Sequence, residues 1–211
     1  MNRRDVWRFV RKWVLASDVG IVYSILLAIV LVVLQLVPDS VHDHVVAFTS
    51  TNLRNLRVHP LTVLVTSAFV LPSWSGLWLQ IPMILVVFSI VQPLLGRAIL
   101  IITAAFGHIG ATLLVSVLLR SGISKGLVDP AVRLASDVGV SYALVGVAGI
   151  VVAWFATVHM KLVYIALVSM YLLGYVVFSR TFTDVGHLSA WFIGLCVACV
   201  IGAARRRPLA G

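Results

Sequence analysis

This chain of 211 residues contains no glutamate, only three asparagines and two cysteines, and charged residues make up just 11% of it. So thin a supply of charge cannot cover the outside of a water-soluble domain. With 61% hydrophobic residues and a mean hydropathy of +1.10, the composition is that of a polytopic membrane protein. Cys196 and Cys199 share one apolar run with no further Cys or His beside them, which argues against a four-ligand metal site and assigns them to buried small-residue packing. The stretch His42-Asp43-His44, with His59 further on, defines no ligand set either, because histidines two apart diverge on a helix. No metal and no organic cofactor is expected. Sixteen basic residues against seven aspartates give a net charge of +9, but the basic residues flank apolar runs. There they face anionic headgroups, so the lipid bilayer rather than nucleic acid is the expected partner.

What the chain does have is long hydrophobic runs. Six of them, at about 20–37, 75–95, 98–119, 139–158, 162–178 and 185–203, are each near the length that crosses roughly 30 Å of hydrocarbon at about 1.5 Å per residue. The predicted fold is therefore an all-α polytopic bundle of six transmembrane helices, organised as a basic amphipathic segment (1–19), one membrane domain (20–204) and a short basic tail (205–211). In the first segment Arg3, Arg4, Arg8, Arg11 and Lys12 interleave with Val6, Trp7, Val10 and Trp13, the pattern of an interfacial helix. The first span ends in Val-Pro-Asp-Ser without a small-residue cleavage site, so it reads as a retained anchor. Leu61–Leu71 is too short to cross and is expected to be interfacial or re-entrant. Six spans put both termini on one side, which then collects ten of the sixteen basic residues. By the positive-inside rule that side is the cytoplasm, and the membrane is the cell membrane.

Within this frame, Ser141 opens the fourth span and His187 the sixth, both entering from the extracytoplasmic side. Ser141 follows Asp137 by four residues and His187 follows Asp184 by three, so their depths should agree to about one helical rise of roughly 1.5 Å. The tetrads Ser17-Asp-Val-Gly20, Ser136-Asp-Val-Gly139 and Thr183-Asp-Val-Gly186 each precede a span, and Asp137 and Asp184 are expected to cap helix N-termini. The sixth span carries Gly186, Ala190, Gly194, Ala198 and Gly202 at every fourth position, and the fourth carries Gly139, Ala143, Gly146 and Gly149. If these small-residue stripes face each other, the two backbones approach closely and bring Ser141 to His187. A serine hydroxyl becomes a useful nucleophile when an imidazole takes its proton, and the same imidazole then protonates the leaving amine.

Gly139-Val140-Ser141 and the pattern His187, Ala190, Gly194 resemble the G-x-S and H-x-x-G-x-x-x-G motifs of the rhomboid intramembrane serine proteases, with Ala replacing one Gly. Weaker resemblance covers Thr66-Ser67-Ala68-Phe69, Gln92 and Gly96, and the segment around His108 looks like the divergent rhomboid-like proteins of actinobacteria. The resemblance implies a catalytic dyad of Ser141 and His187, with Gly139, Ala190 and Gly194 as helix-packing support. It also implies membrane-anchored substrates whose transmembrane segments are the protein's partners. The chain departs from the family in having Tyr142 after the serine, where many active members have Gly. It also lacks the family's His-x-x-x-Asn pair at the second span, since Asn2, Asn52 and Asn55 all lie outside the spans. Oxyanion donors must then come from elsewhere: the Ser141 amide, Gln80 near the outer end of the second span, or His108, whose mid-span position suits a helix-bridging role better.

Two readings follow. One is a serine protease acting within the membrane; the other is a catalytically inactive rhomboid-like protein that binds transmembrane helices of client proteins. A small transporter is a weaker third, since the spans show no paired charges at mid-depth. The topology common to the first two is testable with reporter fusions. A reporter after Arg207 should read cytoplasmic and one within 120–136 extracytoplasmic; two reporters on one side would remove the shared depth of Ser141 and His187.

Overall fold

The computed structural model describes residues 3–138 and 140–206, all helix, turn or coil, with no strand among them. Ten α-helices follow one another: α1 (Arg3–Ala16), α2 (Asp18–Leu36), α3 (Asp39–Thr49), α4 (Leu53–Val58), α5 (Pro60–Thr66), α6 (Trp74–Leu95), α7 (Arg97–Ser124), α8 (Val140–Ile150), α9 (Val158–Phe178) and α10 (Phe182–Arg206). Of these, α2, α6, α7, α9 and α10 are long and apolar enough to cross a bilayer. The apolar helix at Val140–Trp154 is shorter. Together they form an all-α polytopic bundle.

The fourth predicted span is the one that differs. Instead of running over 139–158, α8 gives way to a tighter 3-10 turn at Val151–Trp154, and Thr157, its side chain accepting from the Met160 N–H at 3.3 Å, caps the next helix. At helical rises the unit covers roughly 24 Å, less than the hydrocarbon thickness. A spanning element this short is tolerated because it lies inside the protein. Val140, Tyr142, Ala143, Leu144, Gly146, Val147, Gly149 and Ile150 are all buried. Around them Leu27 and Leu31 of α2, Ile84, Phe88 and Val91 of α6 and Leu100 of α7 complete the main apolar core.

Glycines set the spacing on both sides of α8. A Cβ added at Gly107 of α7 would meet the Gly146 Cα at 2.9 Å, and one added at Gly194 of α10 would overlap the Gly146 carbonyl oxygen and meet the Gly149 Cα at 2.9 Å. Backbone therefore rests on backbone across both interfaces, as helices do in lipid, where a gain from burying apolar surface is missing and close packing must hold them together. The two stripes do meet, but the α10 stripe ends early: Gly202 is exposed with nothing near it. Gly139 lies outside the described residues. A different glycine, Gly96, joins α6 directly to α7 at φ +88, a conformation other residues rarely adopt.

Residues 39–58, between the first span and the Leu61–Leu71 segment, form α3 and α4. Leu61–Leu71 forms α5 and a 3-10 turn at Ser67–Phe69, too short to cross, as expected. The packing role expected of Cys196 and Cys199 is corrected: both are exposed on the outer face of α10. In a bilayer the surroundings of that face are acyl chains, so an apolar thiol there costs little. At the opposite end from Ser141, Arg97 and Asp18 form an ion pair at 2.8 Å and Gln92 accepts from the Val19 N–H at 3.1 Å. This ties the start of α2 to the α6–α7 turn.

The glycine contacts predict an asymmetry along one helix. Gly194→Leu should lower the melting temperature in detergent by an amount matching about 3 kcal/mol or more, whereas Gly202→Leu should leave it within about 1 kcal/mol of wild type. Equal tolerance of both would mean that α8 and α10 are not in backbone contact.

Candidate active site

The two helices that carry Ser141 and His187 begin in different ways. At α10, Thr181 and Asp184 form a reciprocal cap: the Thr181 hydroxyl oxygen accepts from the Asp184 N–H at 3.2 Å, and the Asp184 carboxylate accepts from the Thr181 N–H at 3.2 Å. This fulfils the capping role expected of Asp184. The entrance to α8 is built by the distant α3–α4 turn instead. Ser50 Oγ accepts from the Asp137 N–H at 2.8 Å, and the Asp137 carbonyl accepts from the Thr51 N–H at 2.9 Å and the Thr51 hydroxyl at 3.1 Å.

The Asp137 side chain departs from its expected capping role, because its carboxylate accepts from the Tyr142 hydroxyl at 2.9 Å. Asp137 stands before α8 and is buried. Burial pushes its carboxyl up to about 6 from the usual 3.8, against the downward pull of the Tyr142 hydrogen bond.

Ser141 and His187 come together. The serine Oγ and the imidazole Nε2 lie 2.9 Å apart, both side chains partly buried. For activation the hydroxyl must donate to an unprotonated Nε2, and the distance suits that bond. Next to them the Tyr142 ring is fully buried and meets the imidazole edge to face, with centroids 5.3 Å apart and planes at 78°. It lies over Gly186 so closely that a Cβ there would overlap the tyrosine ring and its hydroxyl. Neither Tyr142 nor Gly186 was marked as a site residue by the motifs. The available signal was a buried-type aromatic directly after the serine and a glycine directly before the histidine.

The supporting residues separate into two groups. Ala190 and Gly194 are buried in the α8–α10 interface, as packing support requires. His108 is buried in α7, and its Nε2 lies 2.9 Å from the Leu64 carbonyl and 3.1 Å from the Ser67 hydroxyl. It therefore bridges α7 to the α5 segment. Gln80 is partly buried on the second turn of α6, and its Oε1 is enclosed without a protein partner. No hydrogen bond joins Gln80 or His108 to Ser141 or His187 among the described residues.

Asp137 carries a pH signature with a definite sign. Its carboxyl is raised on folding, so ionisation penalises the folded state as pH climbs from the unfolded value of 3.8 through about 6. The melting temperature of Asp137→Asn relative to wild type should rise between pH 4 and pH 7, by the equivalent of up to about 3 kcal/mol. A difference independent of pH would mean that the carboxyl is hydrated.

The chain matches no curated protein and no solved structure. The sequence model of one family, described as rhomboid-like protein, matches residues 12–207. That match takes in all six helices of the bundle together with Ser141 and His187. The chain belongs to the rhomboid-like family of membrane proteins.

Proposed function

We propose that the protein is an intramembrane serine protease of rhomboid type, cutting membrane-anchored substrates near the extracytoplasmic ends of their transmembrane segments. The observation that carries this reading is the 2.9 Å contact between Ser141 Oγ and His187 Nε2. In the proposed reaction Nε2 takes the hydroxyl proton as Oγ attacks the scissile carbonyl carbon. The resulting tetrahedral intermediate collapses as His187 gives that proton to the leaving amine, leaving an ester on Ser141. Water, deprotonated by the same imidazole, then releases the acid and restores the serine.

The oxyanion needs donors fixed in advance. Ser141 is the second residue of α8, so its N–H belongs to the first turn, where amides have no partner within the helix and the dipole favours negative charge. Gln80 is the side-chain donor we favour, because the His108 imidazole already lies against the Leu64 carbonyl and the Ser67 hydroxyl. Both termini are assigned to the cytoplasm of a cell-membrane protein, with residues 1–19 as its surface-lying segment and 205–211 as its tail. The second reading, an inactive protein binding client transmembrane helices, is favoured by the missing His-x-x-x-Asn pair and by Tyr142 beside the serine.

Fluorophosphonate or isocoumarin probes decide between them. Wild-type protein should be labelled covalently, Ser141→Ala not at all, and His187→Ala about 100-fold more slowly or worse. Ser136→Ala and Ser189→Ala should label normally, the Ser189 hydroxyl being bonded to the Val185 carbonyl of its own helix at 2.8 Å. Folded wild-type protein that resists several probe classes and cleaves no single-span substrate would sink the protease reading and leave the helix-binding one.

A further inference from the structure

We infer that Asp137 is a positioning residue for the proposed reaction: it pins the Tyr142 phenol, and the Tyr142 ring holds the His187 imidazole at Ser141. The inference rests on the protease reading. An imidazole on a helix turns freely about a broad outer torsion, so some neighbour must define its plane. Here that neighbour is Tyr142, which meets the ring edge to face. A tyrosine hydroxyl lies on the axis of its own outer torsion, so the 2.9 Å bond to the Asp137 carboxylate fixes where the ring axis points, and close packing over Gly186 limits how the ring turns about it.

Asp137 is itself held at three backbone contacts, by Ser50 Oγ, the Thr51 N–H and the Thr51 hydroxyl. The turn that supplies them is braced in its turn by Asn55, whose side-chain amide donates to the Ala47 carbonyl at 2.7 Å and the Ser50 carbonyl at 2.9 Å. An unbroken series of contacts thus runs from the α3–α4 turn through Asp137 and Tyr142 to His187 and Ser141. The bland alternative is that Asp137 merely satisfies a buried hydroxyl. A neutral acceptor would do that with less desolvation, whereas a carboxylate gives a stronger and more directional bond. The carboxylate is what alignment calls for, because small displacements of reacting groups cost large factors in rate.

The test uses the full chain in detergent with Asp137→Ala, Asp137→Asn, Tyr142→Phe and the double variant Asp137→Ala/Tyr142→Phe. Two quantities are read: the rate of fluorophosphonate labelling at Ser141, and the His187 ring signals in protein carrying ¹⁵N-labelled histidine, assigned by their loss in His187→Gln. Asp137→Ala and Tyr142→Phe should each slow labelling about 10-fold and the double variant no further, since both cut one series of contacts. Asp137→Asn, which keeps an acceptor oxygen but loses the charge that strengthens the bond, should slow labelling by an intermediate factor of about 3 and shift the His187 signals in the same direction as Asp137→Ala. The His187 signals and their titration midpoint should move in both single variants alike. A double variant about 100-fold slower, the product of two independent effects, would overturn the inference. Unmoved His187 signals in Tyr142→Phe and Asp137→Asn would do so as well, and those two variants suffice should Asp137→Ala fail to fold. If the wild type takes no label, the protease reading falls, while the histidine signals still decide whether Asp137 orients His187.

Discussion

The contact of α8 with its two neighbours at glycine is the constraint on which the site depends. Helices separated by ordinary side chains sit about 8–10 Å apart. A serine side chain is a single carbon and a hydroxyl long, so the distance from Ser141 to the His187 imidazole is set mainly by how α8 and α10 are seated on each other. Gly146 and Gly149 against Gly194 provide the approach, and Gly107 against Gly146 lets α7 support α8 from the other side. Because the stabilisation is packing of backbone on backbone in a lipid solvent, volume added at these positions acts twice. It weakens the bundle and opens the distance between Ser141 and His187.

A second consequence follows from the shortness of α8. The element is about 6 Å too short for the hydrocarbon core, so at least one of its polar ends must sit within the protein. At the N-terminal end this is arranged by the chain between α2 and α6. The α3–α4 turn bonds the backbone of Asp137, and α5 with its following 3-10 turn is anchored to α7 through His108. The segments between the first two spans thus pack around the end of the helix that carries Ser141.

Much of this arrangement was legible beforehand because the bilayer imposes a length rule. Apolar runs of about 20 residues stand out, and matched offsets from Asp137 and Asp184 put Ser141 and His187 at one depth. The fourth span was misread because Phe155-Ala156 is apolar enough to prolong a run, while the end of the helix is set by a 3-10 turn and a Thr157 cap that hydropathy does not register. Asp137 looked like a cap, since Ser-Asp before an apolar run is a capping signal; its actual partner is a tyrosine five residues on. The partners of His108 were hidden for another reason. Ser67 lies 41 residues away in sequence, and no local pattern encodes such a pairing.

The balance between an active and an inactive membrane protein turns on what each would need. A protein that only binds other helices gains from apolar and small residues at its interfaces, and polar groups inside a bundle are an expense it can omit. This chain instead keeps a serine, a histidine, a tyrosine hydroxyl and a carboxylate at the buried entrance of one helix. Asp137 is retained there although burial disfavours its charged form. Such groups repay their desolvation through geometry, by holding an imidazole in one plane beside a hydroxyl at the positive end of a helix. Tyr142 in the position of the family's glycine then acts less as a block than as part of the same support, with Gly186 conceding on α10 the space that the ring occupies. On that argument Tyr142 beside the serine is as compatible with the proposed protease reading as the contact between Ser141 and His187 is.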